Sequence, residues 1–308
     1  MQNLPITVPV YKRISKAAQQ ELAAFEARST DVFVCSPPKT GTTLMQVACH
    51  LLRGGDDEYV DLYEVSPYLE LGFDLGQEIN ASDFQDHLPP PRVFKSHQPL
   101  TATPRGGRYI CLVRDPVAVA ISFFAFMRER RDPKVLQLAD IDEFVRSPLI
   151  MDDAFGGASI WAHMNLYHAV GDDPNVLLVP YETIVGPEKR RVLQVVAQFI
   201  GVSYDDHLLD RVMEQTTKEA MARNISRFDL SWASQRLVEV GRMPSEMASL
   251  FQPCRRVVLE PHPHVLSDAS LALLAERWQA LSAPVTACAT YAQFRDLWQQ
   301  RLLARLEH

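Results

Sequence analysis

Residues 31–55 constrain the fold more than any other stretch of the chain. Asp31–Ser36 (DVFVCS) is a short apolar run rich in β-formers, which reads as a buried strand. Pro37 and Pro38 end it. From Thr42 the pattern turns helical. Leu44, Met45, Val47, Ala48, Leu51 and Leu52 recur at three- and four-residue spacing on one face, and Gly54-Gly55 stops the helix. Between the two lies Pro38-Lys39-Thr40-Gly41-Thr42-Thr43. A loop feeding a helix N-terminus presents backbone N–H groups and partial positive charge, a setting that suits phosphate. Lys39 adds a full charge, and Thr42 and Thr43 add hydroxyl donors. A Walker A loop needs its lysine directly after the second glycine. Here the lysine stands two residues before the glycine, so the segment is not one. A capped turn with a surface lysine is the plainer alternative.

Further strands are expected at Arg92–Lys95 (RVFK), Arg108–Val113 (RYICLV) and Asn175–Val179 (NVLLV). Asp115 reads as an N-cap with Pro116 at the first helical position, opening a helix to about Arg130. Pro187 opens another, with Val192, Val195, Val196 and Phe199 inward and Gly201 as its C-cap. Residues 205–223 and 268–303 read as mainly helical. Strands alternating with helices imply an α/β fold whose parallel sheet is covered on both faces. The chain's 308 residues suit a single three-layer α/β/α domain over 1–308. It carries an insertion at about 54–91 and a helical C-terminal part at about 205–308. Ligands of such sheets bind at the carboxyl ends of the strands.

The net charge of −7 counts against a nucleic-acid binder relying on an overall basic field. No apolar run approaches the roughly 18 residues of a membrane span. Lys12, Arg13, Lys16 and Glu21 are not those of a secretory signal. Five scattered cysteines (Cys35, Cys49, Cys111, Cys254, Cys288), none in a CxxC pair, suggest reduced thiols in a cytoplasmic compartment and exclude a zinc site of that kind. The charge is uneven. Residues 54–91 hold ten carboxylates and no Lys or Arg, so the rest sums to −7 + 10 = +3. A solvated acidic loop and a binding-site rim that favours a cationic or amine-bearing ligand are both open.

The order P-K-T-G-T-T resembles the phosphosulfate-binding loop of the cytosolic-type sulfotransferases, which use 3′-phosphoadenosine 5′-phosphosulfate (PAPS). Lys95-Ser96-His97 resembles the family's segment carrying the catalytic base. Arg114 and Ser122, eight residues apart in RDPVAVAIS, resemble its pair for the 3′-phosphate, and arginine offers a charged fork matched to phosphate oxygens. Tyr181 of VPYE resembles the tyrosine that contacts the nucleotide. Thr216-Thr217-Lys218 with Met221 and Asn224 resembles the stretch near the adenine, and Arg255-Arg256 a second 3′-phosphate contact. Ser66-Pro67-Tyr68-Leu69-Glu70 resembles a segment that helps wall the acceptor pocket.

The resemblance implies a P-loop-like fold with His97, Lys39 and Lys95 catalytic. The donor would be held by Lys39, Thr40, Gly41, Thr42, Thr43, Leu44, Arg114, Ser122, Tyr181, Thr216, Thr217, Arg255 and Arg256. It implies PAPS as co-substrate, 3′,5′-ADP (PAP) as product, and a small-molecule hydroxyl or amine as acceptor. No metal is required, because lysine and backbone donors can neutralise the charge. No nucleic acid or membrane partner is expected, and the oligomeric state is open. Leu44, Ala118, Lys218 and Val257 depart from the family's tryptophan, aspartate, phenylalanine and glycine. Two other classes stay in view: a P-loop kinase using ATP, and a non-catalytic nucleotide-binding module on the same fold. Pro261-His262-Pro263-His264 reads as a solvated turn, and Gly157-Ala158-Ser159 lacks the second glycine of a nucleophile elbow. Phe123, Phe124, Phe126 and Met127 read as core and pocket lining together, with Phe155 and Trp232 as further pocket candidates.

Overall fold

A computed structural model describes residues 15–56, 58–129, 133–152, 159–229, 231–242 and 263–307. The DVFVCS run forms β1 (Val32–Cys35), preceded by α1 (Lys16–Ala23) and followed by α2 (Thr42–Leu52) and the short α3 (Leu62–Val65). Next come β2 (Val93–Ser96), β3 (Arg108–Val113) and α4 (Pro116–Glu129). Four helices lie at α5 (Pro133–Leu136), α6 (Ile141–Arg146), α7 (Pro148–Met151) and α8 (Ile160–Ala169). β4 (Val176–Pro180) leads into α9 (Tyr181–Val185), α10 (Lys189–Ile200), α11 (Asp206–Gln215), α12 (Lys218–Arg223) and α13 (Ser231–Glu239). The chain closes with α14 (Asp268–Arg277), a π-helical turn (Trp278–Ser282), α15 (Ala283–Thr286) and α16 (Tyr291–Ala304). Residues 133–169 show no periodicity in the sequence because three of their four helices have six residues or fewer, too short to repeat a pattern.

The four strands form one parallel sheet in the order β2-β1-β3-β4. Val32 pairs with Val93 on one side and Arg108 on the other. Side chains alternate between the faces. Phe33, Cys35, Phe94, Tyr109 and Cys111 point into a layer shared with α4, α6, α8 and the C-terminal helices. Val32, Val34, Val93, Ile110 and Leu112 point into the opposite layer with α2, α10 and α11. This is the α/β/α arrangement that the sequence pattern implies.

Two details differ from the pattern. The apolar positions of α2 suggest one buried face, yet Gln46, Cys49 and His50 are buried too. The helix is wedged between the sheet, α10 and α11, and several polar groups on it and at its C-cap bond to the 54–91 segment. The Gln46 amide donates to Ser66 O at 3.0 Å, and Arg53 donates to Val65 O at 2.7 Å and Pro91 O at 2.8 Å. Second, β4 runs one residue further than expected, through Pro180, and Tyr181 opens a short helix directly after it.

At the opposite edge of the sheet, a buried ion pair joins the starts of β1 and β2. Arg92 donates to Asp31 with Nε–Oδ1 at 2.8 Å, and its guanidinium lies over Phe25 and Phe94. The order 2-1-3-4 sends the chain to one side of β1 and then back across it to the other. The switch point therefore lies between the carboxyl ends of β1 and β3, where open α/β sheets bind ligands.

Candidate active site at the carboxyl edge of the sheet

All four strands end at this edge, and each delivers one of the residues singled out above. After β1 the chain makes the Ser36–Thr43 loop. Its shape is fixed by short internal bonds: Ser36 Oγ to Thr42 Oγ1 at 2.6 Å, and Thr40 Oγ1–H donating to Pro37 O at 2.8 Å. Lys39 adopts a positive φ of 69° and Gly41 one of 98°. Gly41 is also the N-cap of α2 and supplies no side-chain cap, so the first N–H groups of the helix face outward without an intrahelical partner. A Cβ at Gly41 would lie 2.6 Å from Cδ2 of Tyr181. The tyrosine ring that follows β4 thus closes over the loop's glycine, and only glycine permits both the turn and the contact.

Arg114, at the end of β3, binds the loop from the other side. Its Nη1 donates to Lys39 O at 2.8 Å, and its guanidinium lies 4.3 Å from the Tyr181 ring centroid. Arg114 Nε is buried and has no hydrogen-bond partner among the described residues. A buried, unsatisfied guanidinium N–H is costly unless a ligand takes it. An uncapped helix N-terminus, a Cβ-free glycine and this donor make a cradle that fits a nucleotide phosphate. Lys39 Nζ lies 4.2 Å from the Phe126 ring centroid of α4. Ser122 is buried on the same helix.

His97 follows β2. Its Nδ1 is 2.6 Å from Ser36 O. A carbonyl only accepts, so Nδ1 carries the proton, and Nε2 of the neutral ring is left with its lone pair. The ring stands edge-on to Tyr68, with centroids 5.3 Å apart. Below it, Glu70 Oε1 accepts from His97 N and Gln98 N, each at 3.1 Å, and from the Ser96 hydroxyl. Burial pushes the Glu70 carboxyl upward from its ordinary range, opposed by these hydrogen bonds and by Lys95. Lys95 Nζ donates to Tyr63 OH at 3.1 Å and lies 4.0 Å from the Tyr68 ring centroid. Trp232 packs against the cluster of Tyr63 and Tyr68, so it stands on the same side as Lys95.

The structure therefore brings together Lys39, Thr40, Gly41, Thr42, Arg114, Tyr181 and His97. Thr43 is half-buried on α2, and Leu44 packs against the apolar layer behind it. Thr216 and Thr217 are turned to their own helices: Thr216 Oγ1 donates to Val212 O, and Thr217 caps α12. Arg255, Arg256, Phe155 and Cys254 lie outside the described residues. Phe123 is core, packed edge-on against Phe144. Among the described carboxylates of 54–91, six have partners inside the fold. Glu70 anchors the His97 turn, Asp61 and Glu64 form a capping box, Asp56 accepts from Glu58 N, Asp74 accepts from Ser15, and Asp86 pairs with Arg28.

Sequence reasoning missed the anchoring role of Glu70 and the partnership of Ser36 with His97. Neither is a spacing signal, because both depend on which strands become neighbours. Cys35, Cys49, Cys111 and Cys288 are free and buried. Burial raises the Cys49 thiol to about 12 and so leaves it inert.

A strand–loop–helix at the switch point of a parallel sheet, its loop closed by an arginine and a tyrosine from the ends of β3 and β4, defines a P-loop-like α/β protein. Comparison with known proteins narrows the class. The sulfotransferase domain family matches residues 29–239. Human sulfotransferase 4A1 is 28% identical over 211 residues, covering 65% of this chain and 69% of the relative. Guinea-pig (Cavia porcellus) sulfotransferase 1E1 is 26% identical over 229 residues, covering 70% and 74%. Two solved structures share the fold at 19% identity. Mouse sulfotransferase SULT7A1 complexed with PAP has a TM-score of 0.61, covering 90% of this chain and 94% of that one. Retinol dehydratase in complex with androsterone and inactive cofactor PAP has 0.63, covering 90% and 87%. The chain belongs to the sulfotransferase family.

Proposed function

We propose that the chain moves a sulfuryl group from PAPS to the hydroxyl or amine of a small-molecule acceptor, with His97 as general base and PAP as product. The observation that carries this reading is the His97–Ser36 bond, because it ties the base to the first residue of the phosphate loop and leaves Nε2 as the proton acceptor. PAPS, when bound, supplies an activated sulfuryl group. His97 Nε2 takes the acceptor's proton as the new bond to sulfur forms and the bond to the phosphate oxygen breaks. Lys39 offsets the charge growing on that oxygen. Lys95 and the N–H groups at the start of α2 hold the sulfuryl oxygens in a preorganised field. Arg114, Ser122 and Arg255 hold the 3′-phosphate, and Tyr181 holds the nucleotide against Gly41. Charge neutralisation is assigned to these groups without a metal.

Tyr63, Tyr68 and Trp232 are assigned to the acceptor side. Asp56, Glu58, Glu78 and Asp83 are the exposed carboxylates through which the acidic segment would favour a cationic acceptor. A rate ratio between cationic and anionic phenols that falls with added salt supports that preference, and a ratio indifferent to salt removes it. Four buried free thiols are in keeping with a reducing, cytoplasmic setting. No helix among the described residues is long and apolar enough to cross a membrane.

His97→Ala tests the assignment. Turnover should fall by roughly 10²–10⁴-fold, the usual contribution of a general base, while PAP affinity in calorimetry stays within about twofold. Unchanged turnover in that variant would reject His97 as the base.

A further inference from the structure

Glu182 divides its two carboxylate oxygens between segments far apart in the chain. Oε1 accepts the Asp115 N–H at 2.9 Å, and Oε2 accepts the Tyr291 O–H at 2.8 Å. Asp115 directly follows Arg114, and its own carboxylate accepts from Val117 N at 2.7 Å in the first turn of α4. Glu182 directly follows Tyr181, whose ring covers Gly41 and underlies Arg114. Tyr291 is the first residue of α16 and lies outside the 29–239 region matched by the family. It is buried, with its ring edge-on to Trp278. α16 is fastened to α9 and β4 by further bonds: Thr183 Oγ1 to Gln299 Oε1 at 3.2 Å, and Arg305, its C-cap, to Val176 O at 2.8 Å.

We infer that Tyr291 is a positioning residue for the donor site, acting through Glu182 to fix the Arg114–Asp115 backbone where the donor's 3′-phosphate is held. A carboxylate with one partner turns about its last torsion, whereas one held at both oxygens presents a fixed acceptor to the Asp115 N–H. The C-terminal helix is thereby part of the donor site, although it supplies no group that touches the donor. Burial and the Glu182 charge hold the Tyr291 hydroxyl protonated, so it stays a donor. The inference rests on the proposed assignment of Arg114 to the 3′-phosphate.

Tyr291→Phe keeps the ring packing and removes only the hydroxyl. The test is calorimetric titration of wild type and variant with PAP and with AMP, which lacks only the 3′-phosphate. PAP affinity should fall roughly fivefold, the order of one lost hydrogen bond, while AMP affinity changes by less than about twofold. In an Arg114→Lys background, Tyr291→Phe should no longer alter the PAP-to-AMP ratio, because the two residues act through one network. Equal loss for both ligands, no loss for either, or a variant that fails to fold makes Tyr291 purely structural and overturns the inference. Equal binding of PAP and AMP by the wild type overturns the Arg114 assignment, and the inference with it.

Discussion

Glu70 shows how one buried side chain can govern a site it does not enter. It comes from the acidic segment, where it is one carboxylate among ten, yet it lies beneath β2 and gathers three hydrogen bonds from Ser96, His97 and Gln98. Its raised value means that the native state binds the proton more tightly than the unfolded chain does. The stability it contributes is therefore full below the ordinary glutamate value of 4.5 and is lost as pH rises through the raised value. Glu70→Gln keeps an acceptor for the three donors and removes the titration. The melting temperature of wild type relative to Glu70→Gln should decline from pH 4.5 upward and then level off. A constant difference across that range would show that Glu70 does not titrate as its burial demands.

Among the elements, the β1–loop–α2 unit was the most legible. Apolar β-formers, two prolines, a lone glycine and a helical repeat placed it within a residue of its observed bounds. The sequence could also show that Gly41 ends a turn, but not that Tyr181 would lie against it, because that contact joins the ends of β1 and β4. Gly41→Ala should therefore fail for two reasons. A left-handed φ costs a non-glycine residue about 1–2 kcal/mol, and the new methyl meets the Tyr181 ring. PAP affinity should drop at least tenfold in calorimetry, and Tyr181→Ala in the same chain should restore part of it. Equal PAP affinity in Gly41→Ala and wild type would mean that the loop does not approach the donor.

Across the whole molecule, ligand binding to the native state raises its stability by an amount set by the ratio of ligand concentration to dissociation constant. At 100 times its dissociation constant, PAP should add about 2.7 kcal/mol, a rise of roughly 5 °C for a chain of this size. ATP with Mg²⁺ should leave the melting temperature within about 1 °C. The reverse order would favour a kinase, and stabilisation by PAP without transfer to any acceptor would favour a non-catalytic module. The sequence by itself determined the strands, the loop between β1 and α2 and the order of the motifs. Each of these rests on local chemistry: apolar runs, turn residues and a helix N-terminus. Only the tertiary structure decided that His97 would bond Ser36, that Arg114 would lie on Tyr181, and that α16 would reach the Asp115 backbone through Tyr291 and Glu182. The strand order 2-1-3-4 brings together residues far apart in the chain. Which side chains meet at that edge is set by packing on the two faces of the sheet, which leaves no periodic trace in the sequence.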